Sequence, residues 1–398
     1  MNKKVLVIAA AIILIVFGIA SCPSPATNNT MDASFENFPS SSESINTVDV
    51  YFDASISMRG YFASGDGQVA NVVSRFEKIG NYSKMFLIGK NESVKPYAGY
   101  STDLQNSINL FDGGSTHFEK LIPMMCDKSA KGKMAVLVTD GIVFINKNAS
   151  TALEQFQNIL SKSLKGKTGS KAIAIFKYSA KFISPQVGKD GVCYYDMFDT
   201  PKELDSNKRP FYVIAVGTPE DILALQKNAD LKPELQLYYG IDKKSILQNG
   251  KQNSPDSIVE VDPAKDIVLR MTLPKTIGYL YDSDKEFFNH SAAKLLLDGK
   301  QLKDTLEYTT NSVKSENGIN VTITIKSPAN TGIGTGMLTY TVENAIPSSW
   351  NALSVNADSS QNVLLYRDKT FGLEYLLKGI KDAFDGNNPL IKVKFEYK

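Results

Sequence analysis

Val48-Asp49-Val50-Tyr51-Phe52-Asp53-Ala54-Ser55-Ile56-Ser57-Met58 is the stretch on which the fold turns. Val48 to Phe52 with its neighbours is β-rich and ends in a carboxylate, Asp53. Immediately downstream, Val69, Val72, Val73, Phe76 and Ile79 recur at helical spacing, which predicts a helix over 68–79. The same alternation then repeats. Met85 to Ile88 and Val94 to Tyr97 read as strands, and Phe118, Leu121, Ile122 and Met125 as a helix. Met134 to Val138 reads as a buried strand, Ala152 to Leu164 as a helix and Ala172 to Phe176 as a strand. Phe211 to Val216 is again a strand, and Pro219 to Leu225 opens a helix. Strands that are apolar throughout, alternating with helices, predict an α/β fold with a doubly wound, mostly parallel sheet covered on both faces. Ligands of such sheets bind outside the carboxyl ends of the strands, so functional residues should stand where strands stop.

Five oxygen-bearing residues meet that condition. Asp53, Ser55 and Ser57 follow the first strand at i, i+2 and i+4, a spacing that points all three the same way in an extended segment. Asp140 ends the strand Met134 to Val138 within Thr139-Asp140-Gly141. Thr116 lies in the loop Asp112-Gly113-Gly114-Ser115-Thr116, just ahead of a helix. Two carboxylates and three hydroxyls, with no thiolate or imidazole, favour Mg²⁺, Mn²⁺ or Ca²⁺ over zinc or copper. Taken separately the pieces are common, because Asp, Ser and Thr also serve as caps of turns and helices.

Together, in this order and at these intervals, Asp53-x-Ser55-x-Ser57, Thr116 and Thr139-Asp140-Gly141 resemble the metal-ion-dependent adhesion site of von Willebrand factor A-like domains, over roughly residues 46–230. The resemblance implies that the serines and threonine hold the metal directly or through water. It also implies that the aspartates act mostly through water and that a partner's Asp or Glu takes the open position. Two departures stand out. Ile56 occupies a place where many relatives have glycine, and Tyr178 to Pro210 replaces a simple helix with aromatic, alternating segments, including Tyr194-Tyr195-Asp196-Met197-Phe198. That insert reads as a hairpin or long loop that either shapes the binding surface or covers a sheet edge. Asp112 and His117 are candidates for a supporting layer around the metal, or else a turn residue and an idle first-turn residue.

Away from this site, the chain carries an address. Lys3 and Lys4 precede the uncharged apolar run Val5 to Gly18, and Ile19-Ala20-Ser21-Cys22 follows. This is a charged region, a short apolar core and small residues before a cut, as in secretory signal peptides. The run is short for a membrane span of about 20 residues. Its end resembles the lipobox of bacterial lipoproteins, which implies lipidation of Cys22, palmitate included, and a membrane-anchored, extracytoplasmic protein of the bacterial cell envelope. An uncleaved signal anchor is the alternative. Residues 22–45 are rich in Ser, Asn, Thr and Pro and read as a flexible tether.

Net charge is +2, and without Lys3 and Lys4 the mature side chains sum to 2 − 2 = 0. No basic stripe is visible, which argues against nucleic acid as a partner. Only two histidines, His117 and His290, occur, which argues against a histidine zinc site or a Ser-His-Asp hydrolase. Cys126 and Cys193 read as two separate buried thiols or as a disulfide.

Beyond about Leu235 the pattern changes. Val268 to Leu273, Val321 to Ile325 and Met337 to Val342 read as strands between Gly, Asn, Ser and Pro. Leu373, Leu376, Leu377, Ile380 and Phe384 form a late helical stripe, and Ile391, Val393, Phe395 and Tyr397 a last strand. The expected organisation is a signal peptide (1–21), a tether (22–45), the α/β domain (46–230) and a β-rich, sandwich-like domain (235–398). The function expected is metal-dependent protein binding, for adhesion or scaffolding, without catalysis. A phosphatase-like metal-dependent hydrolase is the rival, although neither a nucleophile nor a second metal site is visible. A structural lipoprotein with a site that does not bind metal is the third reading.

Overall fold

The first strand, β1 (Asn29–Ser34), stands apart from the next seven. In the computed structural model the described residues are 29–34, 45–89, 93–106, 108–111, 113–145, 149–183, 206–241, 250–252, 262, 264–291, 293–298, 300–301, 307–326, 336–356, 367–384 and 390–397. A seven-stranded sheet is built from β2 (Thr47–Asp53), β3 (Tyr82–Ile88), β4 (Val94–Tyr97), β5 (Lys133–Thr139), β6 (Ala172–Phe182), β7 (Ser206–Gly217) and β8 (Leu235–Tyr239). Their spatial order is β4-β3-β2-β5-β7-β6-β8. Between them run α1 (Arg59–Ala63), α2 (Gln68–Glu77), α3 (Phe118–Lys128), α4 (Ala149–Lys165) and α5 (Pro219–Gln226).

β5 is buried from Met134 to Thr139, as a strand covered on both faces must be. The two covers are distinct. Phe176 and Tyr212 belong to neighbouring rungs of the β6–β7 ladder and so face opposite ways. Phe76 of α2 meets Phe176 with ring centroids 5.6 Å apart, and Trp350 approaches Tyr212 from the other side at 6.3 Å.

The α/β class is as expected, but the sheet is mixed rather than mostly parallel. β2 pairs parallel with β3 and β5, while β3–β4, β5–β7, β6–β7 and β6–β8 are antiparallel. β3 turns back directly into β4, and for β7 the cause lies in the Tyr178 to Pro210 insert. Parallel neighbours need a crossover, whereas strands that turn back on each other pair antiparallel. β6 and β7 run together from Ala172↔Gly217 out to Phe182↔Ser206, so both ends of the insert belong to this ladder. Residues 184–205, with the Tyr194 to Phe198 segment, lie outside the described residues.

The second sheet has nine strands in the order β12-β11-β15-β18-β9-β1-β10-β14-β13. It adds β9 (Gly250–Gln252), β10 (Ile267–Leu273), β11 (Ala293–Leu297), β12 (Lys300–Gln301), β13 (Tyr308–Ser315), β14 (Gly318–Ile325), β15 (Gly336–Val342) and β18 (Ile391–Tyr397). A small parallel pair, β16 (Ser354–Val355) and β17 (Thr370–Phe371), stands by itself. Helices here are α6 (Gly278–Ser283), α7 (Ser348–Asn351) and α8 (Leu373–Phe384). The β-rich composition and the late helix are as expected. A sandwich needs two facing sheets, and here one hydrogen-bonded ladder joins all nine strands.

Three boundaries also shift. The stretch expected as tether contains β1, which sits between β10 (parallel) and β9 (antiparallel) with Met31 buried. β8, expected to begin the second domain, is an edge strand of the first sheet. α8 packs on α4, where Gly379 lies so close that a Cβ would stand 2.9 Å from Leu160, and Gln157 donates to Asp382 at 2.8 Å. Leu373, Leu376, Leu377 and Ile380 are buried, each contributing roughly 1.5–3 kcal/mol of apolar burial.

Candidate metal centre

β2 and β5 are parallel neighbours in register, with Phe52 beside Val138, so their carboxyl ends bring Asp53 close to Thr139 and Asp140. The Thr139 hydroxyl donates to Asp53 Oδ2 at 2.7 Å, and the Ser55 backbone N–H donates to Asp53 Oδ1 at 3.0 Å. Thr116 and Ser55 also offer their side chains to the Asp53 carboxylate, and Ser57 offers its side chain to Asp140. The hydroxyls of Ser55 and Ser57 are 3.0 Å apart. All five residues singled out in the sequence therefore converge.

Ser57 reaches the site by a route different from the one expected. An extended segment from Asp53 to Ser57 does not form. The strand stops at Asp53, Ser55 is extended with φ −65° and ψ 157°, and Ile56–Met58 is a 3₁₀ turn leading into α1. It is this turn that places the Ser57 hydroxyl beside that of Ser55.

Thr116 is brought in by its loop. Ser55 and Gly113 form a parallel bridge, with Gly113 N–H donating to Ala54 O at 2.9 Å. A Cβ on Gly113 would stand 2.7 Å from that carbonyl, so the close approach requires glycine. Gly141 serves similarly. Its φ is +75°, and a Cβ there would lie 2.7 Å from the Tyr212 ring.

The electrostatics are those of two carboxylates held out of water. Asp53 is 1% and Asp140 3% exposed, so neither is free to hydrate. Burial raises the Asp53 pKa, opposed by hydrogen bonds from Thr139, Thr116 and Ser55. Burial and then the negative charge of Asp53 push Asp140 up to about 6, opposed by Ser57, the positive charge of Arg209 and the Ile142 N–H. Asp140 Oδ1 accepts from that N–H at 3.2 Å, whereas Oδ2 is buried with no hydrogen-bond partner among the described residues. A buried acceptor without a donor costs about 1–3 kcal/mol, more when charged. Two repelling carboxylates, one with an unmet oxygen, and three adjoining hydroxyls make a donor set that fits a hard divalent cation.

The insert's base holds this loop from the side. Ile183 N–H donates to Gly60 O at 3.0 Å, Phe182 packs edge-on to Tyr61 at 5.0 Å, and the Tyr61 hydroxyl donates to Pro210 O at 2.5 Å. Arg209, 1% exposed, lies with its guanidinium carbon 4.3 Å above the Phe182 ring. Thr139 and Arg209 both act on the carboxylates without having been named as site residues. Thr139 was signalled by its place in the Thr139-Asp140-Gly141 motif. Arg209 had no local signal, since only sheet pairing brings it near. His117 occupies the N-cap position of α3, and its Nδ1 sits 3.0 Å from the Glu119 carboxylate. Asp112 and Cys22 lie outside the described residues. Cys126 is a buried free thiol, and Cys193 also lies outside the described residues.

Neither a protein-family model nor a curated protein matches the chain.

Proposed function

We propose that the chain is a divalent-metal-dependent protein-binding module of von Willebrand factor A-like type, displayed at a bacterial cell envelope through a lipid on Cys22. The convergence of Asp53, Ser55, Ser57, Thr116 and Asp140, with Asp140 Oδ2 unmet, carries the reading. The three hydroxyls and two carboxylates hold Mg²⁺, or Mn²⁺ or Ca²⁺ in its place. Neutral hydroxyls leave a bound cation electrophilic, so an Asp or Glu of a partner protein is drawn to it. The serine and threonine hydroxyls are committed to this cluster, which favours capture over turnover.

The test is a pull-down from envelope extract with the full chain. A partner retained in Mg²⁺, released by EDTA and lost with Asp140→Ala supports the reading, provided the variant keeps its circular dichroism spectrum. Turnover of a phosphoester that depends on the same residues supports a hydrolase instead. Labelled palmitate that incorporates equally into wild type and Cys22→Ala refutes the anchor.

A further inference from the structure

The two sheets join at one rim of each, and strand register says which. In the nine-stranded sheet β1 starts at Asn29, beside Ile267 at the start of β10, and ends at Ser34. The ladders put Ile325 and Tyr397 on the Asn29 rim, and Leu273 and Ile391 on the opposite rim. In the first sheet, Thr47, Gly217 and Tyr239 share the rim at the amino ends of β2 and β5. The chain passes between the sheets from Ser34 to Thr47, from Tyr239 to Gly250 and from Phe384 to Ile391, always between the Ser34 rim of one and the Thr47 rim of the other. Side chains seal the same junction. Tyr279 of α6, just beyond Leu273, meets Tyr238 edge-on at 4.9 Å, Gln226 donates to Thr276 O at 2.8 Å, and Phe384 stacks on Tyr239 at 6.5 Å. The five-residue cluster stands at the other rim of the first sheet, where β2 and β5 end. The order along the molecule is therefore metal centre, first sheet, junction, second sheet, Asn29 rim.

We propose that the nine-stranded sheet is a pedestal whose Asn29 rim faces the lipid surface that holds Cys22, with the metal centre turned away from that surface. The inference rests on the lipid-anchor reading above. Its carrier is β1, which is held between β10 and β9 with Met31 and Ala33 buried, so the anchor pulls on the middle of a sheet. Cys22 and Asn29 are 29 − 22 = 7 residues apart. At no more than about 3.6 Å per residue, their separation cannot exceed about 25 Å, whatever path the chain takes. β10 and β2 each add about 20 Å of strand between that rim and the metal centre. A partner carboxylate therefore reaches the metal from the side away from the anchoring membrane, on a soluble protein or an opposing surface.

The test is energy transfer from a dye on the lipidated full chain to rhodamine-headgroup lipid in preformed phosphatidylcholine vesicles. The dye is placed at Lys326→Cys, exposed beside the Asn29 rim, or at Lys181→Cys, exposed near the carboxyl end of β6 and next to Phe182 at the metal loop. Both are made with Cys193→Ser, and burial keeps Cys126 unlabelled. Transfer is expected to be several-fold greater from position 326 than from position 181. A flexible Gly/Ser insert of about 20 residues between Cys22 and Asn29, with a root-mean-square span of about 25 Å, should lower the transfer from position 326. Equal transfer from both positions, or more from 181, on protein held to vesicles through Cys22 overturns the orientation and leaves the anchor reading standing. A chain that binds vesicles no better than its Cys22→Ala variant overturns both.

Discussion

Asp140→Asn separates the two opposing roles that the proposed metal site gives this carboxylate. In the metal-free protein the Asp140 carboxylate is a liability. Burial, and then the negative charge of Asp53, push its pKa up to about 6 from the 3.8 of an ordinary aspartate. At about 1.4 kcal/mol per unit this is a penalty of about 3 kcal/mol on the native state above pH 6. The native state binds more protons than the unfolded chain between pH 3.8 and 6, so metal-free stability falls as pH rises through that window. Asparagine keeps an oxygen for the Ile142 N–H and removes the charge. Metal-free Asp140→Asn is therefore expected to gain up to about 3 kcal/mol at pH 7.5. Wild type should gain about 2.7 kcal/mol from Mg²⁺ at a hundred times its Kd, and the variant close to none. Urea unfolding in EDTA and in Mg²⁺ reads both quantities. A variant less stable than wild type in EDTA, yet equally stabilised by Mg²⁺, would refute the assignment.

Other outcomes follow from the same geometry. Protons compete with the metal, so Mn²⁺ affinity in calorimetry should hold above pH 7 and fall about tenfold per unit below 6. Gly141→Ala forces a side chain into a left-handed position and against Tyr212; urea titration should show a loss of about 1–3 kcal/mol. Ile380→Ala empties the α4–α8 contact and should cost about 2–5 kcal/mol, while a fragment ending at residue 230 should fail to give a cooperative unfolding transition. Burial pushes the Cys126 thiol up to about 11, so iodoacetamide at pH 8 should leave it unmodified in the native chain and alkylate it in urea, as read by mass spectrometry.

The parts of the molecule that were legible are those where periodicity and chemistry coincide. An apolar run such as Met134 to Val138 is a strand whichever neighbour it finds, and polar residues at its end mark the rim of the sheet. Strand direction is different, because an apolar run reads the same beside a parallel or an antiparallel partner. Hence nothing in the run Phe211 to Val216 marks β7 as lying between β5 and β6, antiparallel to both. Asn29-Thr30-Met31-Asp32-Ala33-Ser34 has one large apolar residue and no local reason to be a strand; its conformation is imposed by β10 and β9 on either side. The site followed the same division. Asp53, Ser55, Ser57, Thr116 and Asp140 announce themselves by order and interval, whereas Arg209 comes near only through tertiary structure.

β1 also dictates a timetable. Its register partner for Met31 is Leu269, which lies 269 − 31 = 238 positions later. At about 5–20 residues per second of synthesis, that strand waits roughly 10–50 s for its neighbour to exist. β18, whose ladder closes the far side of β9, comes later still. During this interval β1 has no partner on its β10 side, and that edge is open to pairing with other chains. Pairings this distant form slowly. A chaperone that holds the chain open until residue 397 has emerged is therefore expected to raise the yield of folded protein.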